Sequence, residues 1–253
     1  MIPKVIHTLW IQGASQAPDV VKLCFRRWLK LNPGYELRVL EAADVRALLA
    51  GFPVPLESIS VQALSDIVRI RLLAEAGGVW TDATVLPVKP LDDWLPQQLG
   101  SAGFFAFEKP KPDRPLASWF LASSANHTLT WKWCQEVFRF WLQPRTLVFY
   151  DGKMVPPDPD REVAPGGGAG QDRYPYFWFH YLFGYLLRAD PAFAEQWSRC
   201  GKIGAEPPHR LQMLFSKSAA RPSAADVVAA AQAAPVQKLN WRQAYPLELL
   251  ETL

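Results

Sequence analysis

The chain has 253 residues, of which 49% are hydrophobic and 20% are charged, and its formal net charge at pH 7 is +3. This length and composition allow a sizeable core in one large domain or a domain with appendages. The small net charge gives no argument for nucleic acid, and no RNP-like, zinc-finger or basic-zipper pattern is present, so nucleic acid is not an expected partner.

The cysteines Cys24, Cys134 and Cys200 are scattered and include no C-x-x-C pair. Such a set argues against a disulfide framework or a structural zinc site and favours a reducing compartment. The N-terminal MIPKVIHTLW is too short and too strand-like for a signal peptide, and no run of about 20 apolar residues is present. These features predict a cytoplasmic location.

The first part of the chain alternates between strand-like and helix-like segments. Residues 3–11 are apolar and β-branched, as in a buried strand, and residues 18–31 have helical apolar spacing that Asn32-Pro33-Gly34 ends. A second strand is predicted over 35–40 and a short helix over 42–49. The order strand, helix, strand, helix predicts an α/β domain with a largely parallel sheet.

Residues 60–76 give the strongest helix prediction. Arg71 and Glu75 lie four positions apart, as in a helix-surface pair, and Gly77-Gly78 supplies a stop. Further segments are predicted as strands over 79–81, 103–107, 118–122 and 236–240, helices over 126–142 and 174–188, a long flexible loop over 151–173, and short helices within 190–234.

Asp66 and Arg69 share one face of the predicted helix because they lie three positions apart. Spacing alone leaves two interpretations open, namely a local acid–base pair favoured by the helix dipole and a pair that faces a ligand. The planar fork of Arg69 is suited to a phosphate or a sugar hydroxyl.

Asp82 directly follows the short apolar strand, and open α/β sheets bind ligands at the carboxyl ends of their strands. Magnesium and manganese take oxygen ligands, often carboxylates together with substrate phosphates. Asp82 and the Thr84 hydroxyl are therefore candidate metal ligands, directly or through water. A turn aspartate that caps the following backbone is the alternative.

The segments IPKVIHTLWIQG and SDIVRIRLLAEAGGVWTDATVLPV together resemble the DXD-type sugar transferases, in particular the capsular polysaccharide synthesis branch. The layout is also similar to that of glycosyltransferase family 32, with its initiating mannosyltransferases, and of the large glucosylating toxins. Three elements agree in order: a strand ending in Trp-Ile, a Ser-Asp-x-x-Arg helix closed by Gly-Gly, and an acidic motif directly after it. Beyond residue 90 the resemblance is diffuse.

The resemblance implies a GT-A-type, Rossmann-like nucleotide-sugar-binding domain with a helical C-terminal part. We expect one domain over 1–253, with a nucleotide-sugar-binding core over 1–125 and a mostly helical acceptor-side region over 126–253. The implied reaction transfers a sugar from a nucleotide sugar, a UDP-sugar rather than a GDP-sugar, to a glycan or lipid-linked acceptor in surface or capsular polysaccharide synthesis. Mn²⁺ or Mg²⁺ is the implied cofactor.

The resemblance also implies roles for individual residues. Asp66, Arg69 and Asp82 are the expected catalytic set, in which Asp66 and Arg69 hold ribose and sugar hydroxyls. Asp82 takes the first DXD position, which contacts the metal and the donor. Trp10 falls where the family stacks an aromatic ring on the nucleobase, and Gln12 joins it as a donor-binding candidate.

The third DXD position is Thr84, whose hydroxyl is a weaker metal ligand than a carboxylate. The late KLNW segment supplies Lys238 to offset the charge of the leaving diphosphate, Asn240 as a metal ligand, and Trp241 to close the phosphate site. A C-terminal strand that packs on the core is the alternative for this segment.

The family is expected to retain the anomeric configuration. No carboxylate nucleophile can be identified in the sequence, so we favour a front-side route in which the leaving phosphate helps to deprotonate the acceptor. His180, within YPYFWFHYLFG, and Asp172 are acceptor-side candidates, although a histidine among aromatic residues is more often a core residue.

Two other functions stay open. A non-catalytic nucleotide-sugar or glycan-binding module of the same fold is compatible with the missing second aspartate. A peripheral membrane or polyanion-binding role is compatible with a transferase at the inner face of the membrane, and a solvated basic face is its alternative. The basic residues concerned are Arg199, Lys202, Arg210, Lys217 and Arg221.

Overall fold

The computed structural model describes residues 2–164, 172–217 and 222–253. Its strands are β1 (Val5–Leu9), β2 (Glu36–Leu40), β3 (Gly78–Thr81), β4 (Val85–Pro87), β5 (Phe104–Lys111), β6 (Arg114–Ser123), β7 (Thr146–Val148), β8 (Arg173–Pro175), β9 (Gly201–Gly204) and β10 (Val236–Lys238). Its α-helices are α1 (Asp19–Leu31), α2 (Ala42–Leu48), α3 (Val61–Glu75), α4 (Leu95–Leu99), α5 (Thr128–Phe140), α6 (Pro159–Val163), α7 (Trp178–Ala189), α8 (Pro191–Ser198), α9 (Arg210–Lys217), α10 (Ala224–Ala231) and α11 (Leu247–Thr252).

In the described part of the chain, the main sheet has six strands in the order β2-β1-β3-β6-β5-β9. β1 pairs in parallel with β2 and β3, and β9 pairs in parallel with β5. β6 runs antiparallel to both of its neighbours, and a two-residue connection reverses the chain between β5 and β6. The predicted α/β class is confirmed, but the parallel arrangement holds for the first three strands and not for the whole sheet.

One face of the sheet is covered by α3, α5 and α7, whose buried aliphatic and aromatic side chains form the largest cluster among the described residues. Trp133 of α5 and Phe179 of α7 stack with their ring centroids 3.9 Å apart. On another side, α1 packs with α9, α10 and α11. Much of the aromatic content of the chain therefore serves the core, and this packing fixes α3 relative to the sheet.

The connection between α3 and β3 depends on two glycines. Gly77 has a φ of +68°, and a Cβ atom there would lie 2.5 Å from the backbone nitrogen of Ala125. Gly78 has a φ of +97°, and a Cβ atom there would lie 2.7 Å from the carbonyl oxygen of Val5. Only glycine fits both the positive φ and this close approach of backbones, so the Gly-Gly pair turns the chain tightly from the helix into the centre of the sheet.

Several short elements were not predicted from the sequence. The segment 151–173, expected to be a loop, contains α6 and the start of β8, whereas 165–171 lie outside the described residues. The segment 190–234 contains the expected helices α8, α9 and α10, but also the edge strand β9. β10 corresponds to the strand predicted over 236–240, but its pairing with β4 was not predicted. This pairing places Lys238 of β10 close to the end of β3.

Within the described residues, no helix is long and apolar enough to cross a bilayer. The thiols of Cys24, Cys134 and Cys200 are free.

Candidate functional site

The α3–β3 unit brings the predicted residues Asp66, Arg69 and Asp82 to one place. From Asp66 and Arg69 to the end of α3 the helix descends roughly 10–15 Å at 1.5 Å per residue. From Gly78 to Asp82 the chain rises again by about 13 Å at 3.3 Å per residue. The two distances match, so the first turns of α3 lie beside the carboxyl end of β3. Ser60 begins the helix as its N-cap by accepting a hydrogen bond from the Ala63 nitrogen.

Arg69 is the centre of this cluster and is only 4% exposed. Its Nη1 lies 2.9 Å from Asp66 Oδ1, and its Nη2 lies 3.1 Å from Asp82 Oδ1. The same two nitrogens donate to the Ser118 carbonyl and the Ser65 hydroxyl, at 3.0 and 3.1 Å. The predicted helix-face pair is therefore a real ion pair, and it also reaches the acid after β3. The guanidinium holds two carboxylates in a fixed arrangement.

Lys238 approaches Asp82 from the opposite side. Its Nζ lies 3.0 Å from Asp82 Oδ2 and donates a hydrogen bond of 2.6 Å to the Thr84 hydroxyl. Asp82 thus pairs through one oxygen with Arg69 and through the other with Lys238, and its side chain stays 27% exposed. The structure joins the first and third positions of the Asp-Ala-Thr motif through a lysine from the far end of the chain.

Strand pairing places Lys238. β10 runs antiparallel to β4 with Lys238 opposite Val85, and the Leu239 nitrogen donates to the Thr84 carbonyl at 2.9 Å. The preceding residue, Gln237, is fully buried, and its amide bonds to the main chain of Leu211 and Ala231. The alternative that this segment is a C-terminal strand packed on the core is therefore correct, and it accompanies the contact with Asp82.

The two carboxyl groups of the cluster differ in acidity. Burial alone would raise the pKa of Asp82, but the charges of Lys238 and Arg69 hold it at about 2. Burial raises the pKa of Asp66 to about 7, against the pull of Arg69 and with a further increase from the charge of Asp82. Asp82 is therefore a permanent anion, whereas Asp66 changes its charge near neutral pH.

Trp10, Gln12 and Trp241 lie in two neighbouring loops. Trp10 follows β1 and begins a turn in which its carbonyl accepts from the Gly13 nitrogen at 2.9 Å, and Gln12 is exposed in that turn. The rings of Trp10 and Trp241 meet edge to face at 6.1 Å, and Trp241 is 43% exposed. The two predicted donor-binding tryptophans are thus neighbours. Trp241 follows Lys238 by three residues, so these loops border the charged cluster.

Asn240 does not lie as a metal ligand would. It is exposed, and its side-chain Oδ1 accepts a hydrogen bond of 3.0 Å from the Arg242 nitrogen, as in a local turn. Across residues 2–164, 172–217 and 222–253, no group of three or more His, Cys, Asp or Glu side chains is placed to hold a metal ion.

The two acceptor-side candidates separate. His180 on α7 packs edge to face against the rings of Phe177 and Phe179. Burial and the positive charges of Arg114 and Arg69 lower its pKa to about 3, while the charge of Asp82 acts in the opposite direction. Asp172 is exposed, and its carbonyl accepts from Thr146 at 2.7 Å beside the β7–β8 ladder. The contacts of Asp172 are thus with that ladder and not with the cluster.

Two side chains beside the cluster, Trp80 and Tyr176, were not predicted from the sequence. Trp80 Nε1 lies 3.4 Å from Asp82 Oδ1. The sequence contained a signal for this contact, because residues i and i+2 of a strand lie on the same face. Burial raises the pKa of Tyr176, and the charges of Asp66 and Asp82 raise it further, so its phenol is within electrostatic reach of both acids. No local pattern marks Tyr176, which reaches the cluster through tertiary packing.

Among the C-terminal basic residues, the three whose side chains the structure describes each have a partner. Arg199 pairs with Glu195, Arg210 pairs with Glu206 at 3.4 Å, and the Lys202 ammonium lies 3.2 Å from the Trp197 ring centroid. These contacts favour the interpretation as an ordinary solvated face. Arg221 and the side chain of Lys217 lie outside the described residues.

The family match lies in the N-terminal part of the chain, which also contains the motifs that carry the resemblance. The family model described as "Capsular polysaccharide synthesis protein" matches residues 1–150. The putative glycosyltransferase HOC1 of Saccharomyces cerevisiae is 25% identical over an alignment of 125 residues that covers 46% of this chain and 31% of that protein. The uncharacterized glycosyltransferase L373 of Acanthamoeba polyphaga mimivirus is 29% identical over 111 residues, 42% of each chain. The matched segments thus span less than half of these relatives.

Two solved structures are also similar. The PaToxG glycosyltransferase has 14% sequence identity and a TM-score of 0.46, with 78% of this chain and 73% of that chain covered. The galactosyltransferase LgtC has 15% identity and a TM-score of 0.34, with 54% and 62% covered.

The family match includes Trp10, Asp66, Arg69 and Asp82, whereas Lys238 lies beyond it. It covers more than half of the chain and confirms the resemblance inferred from the Ser-Asp-x-x-Arg and Asp-Ala-Thr motifs. The chain belongs to the capsular polysaccharide synthesis protein family.

Proposed function

We propose that the chain is a GT-A glycosyltransferase that moves a sugar from a nucleotide sugar, a UDP-sugar rather than a GDP-sugar, to a glycan or lipid-linked acceptor. The product belongs to a capsular or other surface polysaccharide. The observation that carries the proposal is the cluster of Arg69, Asp82 and Lys238 at the carboxyl end of β3, within a member of this family. Paired charges at such a sheet edge suit a ligand that carries both hydroxyls and phosphates.

Each part of the donor has a partner in this proposal. Trp10 stacks on the base, with Trp241 beside it and Gln12 at the rim. Asp66 and Arg69 hold ribose and sugar hydroxyls, because a carboxylate accepts and a guanidinium donates hydrogen bonds to such groups. Lys238 faces the diphosphate, and Asp82 keeps both cations in position.

The proposed reaction proceeds with retention by a front-side route. The bond from the anomeric carbon to the diphosphate oxygen breaks, and a bond from the anomeric carbon to the acceptor oxygen forms on the same face. The acceptor's proton goes to the departing phosphate, so no protein nucleophile is required. Positive charge fixed next to the leaving group stabilises the negative charge that develops there.

The expected Mn²⁺ or Mg²⁺ does not fit the side chains as they are arranged. Asp82 Oδ1 pairs with Arg69, Asp82 Oδ2 pairs with Lys238, and the Thr84 hydroxyl accepts from the same lysine. The side-chain oxygen of Asn240 serves a local turn. A divalent ion needs oxygen ligands that are free to turn towards it. We therefore assign no step of the reaction to a metal.

On the acceptor side we propose 126–253, and within it the wall formed by His180 and Tyr176 of the α7 region. Besides burial, which shifts both pKa values most, the charge of Asp82 acts on the pKa of both side chains, and this supports a place for them near the donor sugar. A role for Asp172 has no such support. A lipid-linked acceptor would hold the protein in the cytoplasm at the inner face of the membrane, and this location is part of the proposal.

The test measures release of nucleoside diphosphate from a panel of UDP- and GDP-sugars, with and without an acceptor glycan. Asp82→Asn removes the charge that holds both cations, so turnover should fall by about a thousandfold, or roughly 4 kcal/mol. Asp92→Asn is the matched control, because Asp92 pairs with Lys4 on the exposed surface.

Full turnover in Asp82→Asn would remove this residue from the mechanism. Binding of a nucleotide sugar without release of diphosphate in the wild type would instead favour the non-catalytic binding module.

A further inference from the structure

The Asp-Ala-Thr motif of this chain already has a cation in contact with it. The Lys238 ammonium lies 3.0 Å from Asp82 Oδ2 and 2.6 Å from the Thr84 hydroxyl, so it bridges the first and third motif positions. In a DXD motif that binds metal, these are the positions from which oxygens reach the ion. Here both oxygens face the same nitrogen.

The position of Lys238 is built into the fold. Its backbone is part of β10, which pairs with β4 directly after the motif. The neighbouring Gln237 is 0% exposed and is fixed by hydrogen bonds to three main-chain groups, and Leu239 N bonds to the Thr84 carbonyl. The lysine side chain itself is 20% exposed, so it is anchored and also reachable by a ligand.

We propose that Lys238 is the resident cation of the donor site, taking the place beside the leaving diphosphate that a divalent metal would otherwise hold. This inference rests on the proposed function and goes beyond it, because it makes donor binding independent of divalent metal. It also explains Thr84. A hydroxyl at the third position accepts one hydrogen bond from the ammonium, whereas a second aspartate would add a negative charge next to the incoming diphosphate.

The chemistry of the ammonium agrees with this role. A lysine ammonium has three donors, and among the described residues Asp82 and Thr84 take two of them. The third remains to donate to a phosphate oxygen, and lysine binds phosphate as a compact point charge. A divalent ion placed on Asp82 would lie next to both Lys238 and Arg69 and would be repelled by them.

The test is calorimetric titration with UDP and with GDP, each in EDTA and in manganese chloride. The proteins are the wild type, Lys238→Met, and Lys4→Met as a control at an exposed ion-paired lysine. Wild-type affinity should differ by less than about threefold between the two conditions, and Lys238→Met in EDTA should lose at least about tenfold. Manganese should restore the variant, because the vacated oxygens of Asp82 and Thr84 can then bind the ion.

Three results would overturn the inference: wild-type binding that requires manganese, Lys238→Met binding that is unchanged in EDTA, or a loss in that variant that manganese leaves uncorrected. A loss that manganese does not correct would mean that Lys238 contributes to packing and not to the charge of the site. Thermal melting checks that the variant is folded. If neither diphosphate binds the wild type in either condition, the proposed function itself fails. The two failures are therefore distinguishable.

Discussion

Arg27 on α1 and Arg69 on α3 are both almost fully buried, at 1% and 4% exposure, yet they have different partners. Arg27 donates to main-chain oxygens of Pro87, Glu251 and Leu253 at 3.0, 3.0 and 2.8 Å. Arg69 instead forms ion pairs with two side-chain carboxylates, Asp66 and Asp82. Both arginines tie together distant parts of the chain.

The difference separates a structural site from a candidate ligand site. Main-chain oxygens accept hydrogen bonds from Arg27 and join α1, β4 and α11, and the nearby carboxylate of Glu251 pairs with Arg26 and not with Arg27. Around Arg69 the chain collects two acids and a second base, Lys238, next to solvent-reachable tryptophans. Burying this many charges costs free energy that folding by itself does not recover. Clusters of this kind are typical of sites that bind a polar ligand.

Replacing each arginine by methionine tests this contrast with the largest expected effect. Arg69→Met leaves Asp66 and Asp82 without their shared partner, so the free energy of unfolding should fall by about 3–5 kcal/mol. Nucleoside diphosphate binding should also disappear. The measurements are urea unfolding and calorimetry under conditions in which circular dichroism shows the variant to be folded.

Arg27→Met is the matched control. It leaves main-chain acceptors unpaired and should cost roughly 2–4 kcal/mol of stability, while the folded protein keeps its nucleotide affinity. Equal loss of binding in both variants would mean that the cluster around Arg69 has no special relation to the ligand.

The α3–β3 connection offers a second contrast, of intermediate size. Gly77→Ala places a methyl group 2.5 Å from the Ala125 nitrogen at a φ of +68°, so it should destabilise the protein by about 3 kcal/mol. Gly51→Ala has a similar φ of +77° with no atom within 4 Å, and should cost only about 1 kcal/mol. Urea unfolding of both variants separates the clash from the backbone strain; equal losses would show that the close approach at Gly77 is unimportant.

The smallest expected effect concerns the charge of Asp66. Its pKa is about 7 because of burial, so lowering the pH through 7 protonates it and removes a negative charge beside the ligand site. Diphosphate affinity should therefore rise by roughly threefold from pH 8 to pH 6 relative to Asp66→Asn, which cannot titrate. Calorimetry of both proteins cancels the titration of the ligand itself. If the affinity of the wild type and of Asp66→Asn changed with pH in the same way, Asp66 would not be the group that titrates near pH 7.

Local signals in the sequence were enough for the α3–β3 unit. The helical spacing around Asp66 and Arg69, the Gly-Gly stop and the acid after a short strand each have a local physical cause, and the structure contains all three. Arg71 and Glu75 also pair at 3.1 Å as their spacing predicts. These features need only neighbours along the chain, so pattern reasoning reaches them.

Tertiary pairing was beyond the sequence patterns. β9 and β4 are four and three residues long, too short to show a period, and they exist because a neighbouring strand pairs with them. The contact between Lys238 and Asp82 depends on β10 meeting β4, and no local feature of KLNW indicates it. The hydrogen bond from the Arg242 nitrogen to Asn240 is different, because it is local: asparagine side chains commonly bond to the backbone two residues on, so the sequence did carry a signal for this turn.

The most direct test of the central claim is thermal melting of the wild type, Arg27→Met and Asp82→Asn with a panel of UDP- and GDP-sugars. A ligand that binds only the folded state stabilises it by about 2.7 kcal/mol at one hundred times its dissociation constant, or roughly 5–10 °C for a chain of this size. We predict that one nucleotide sugar raises the melting temperature of the wild type and of Arg27→Met, and leaves Asp82→Asn unchanged. An equal rise in all three proteins, or no rise in the wild type with any nucleotide sugar, would contradict a donor site at the Arg69–Asp82–Lys238 cluster.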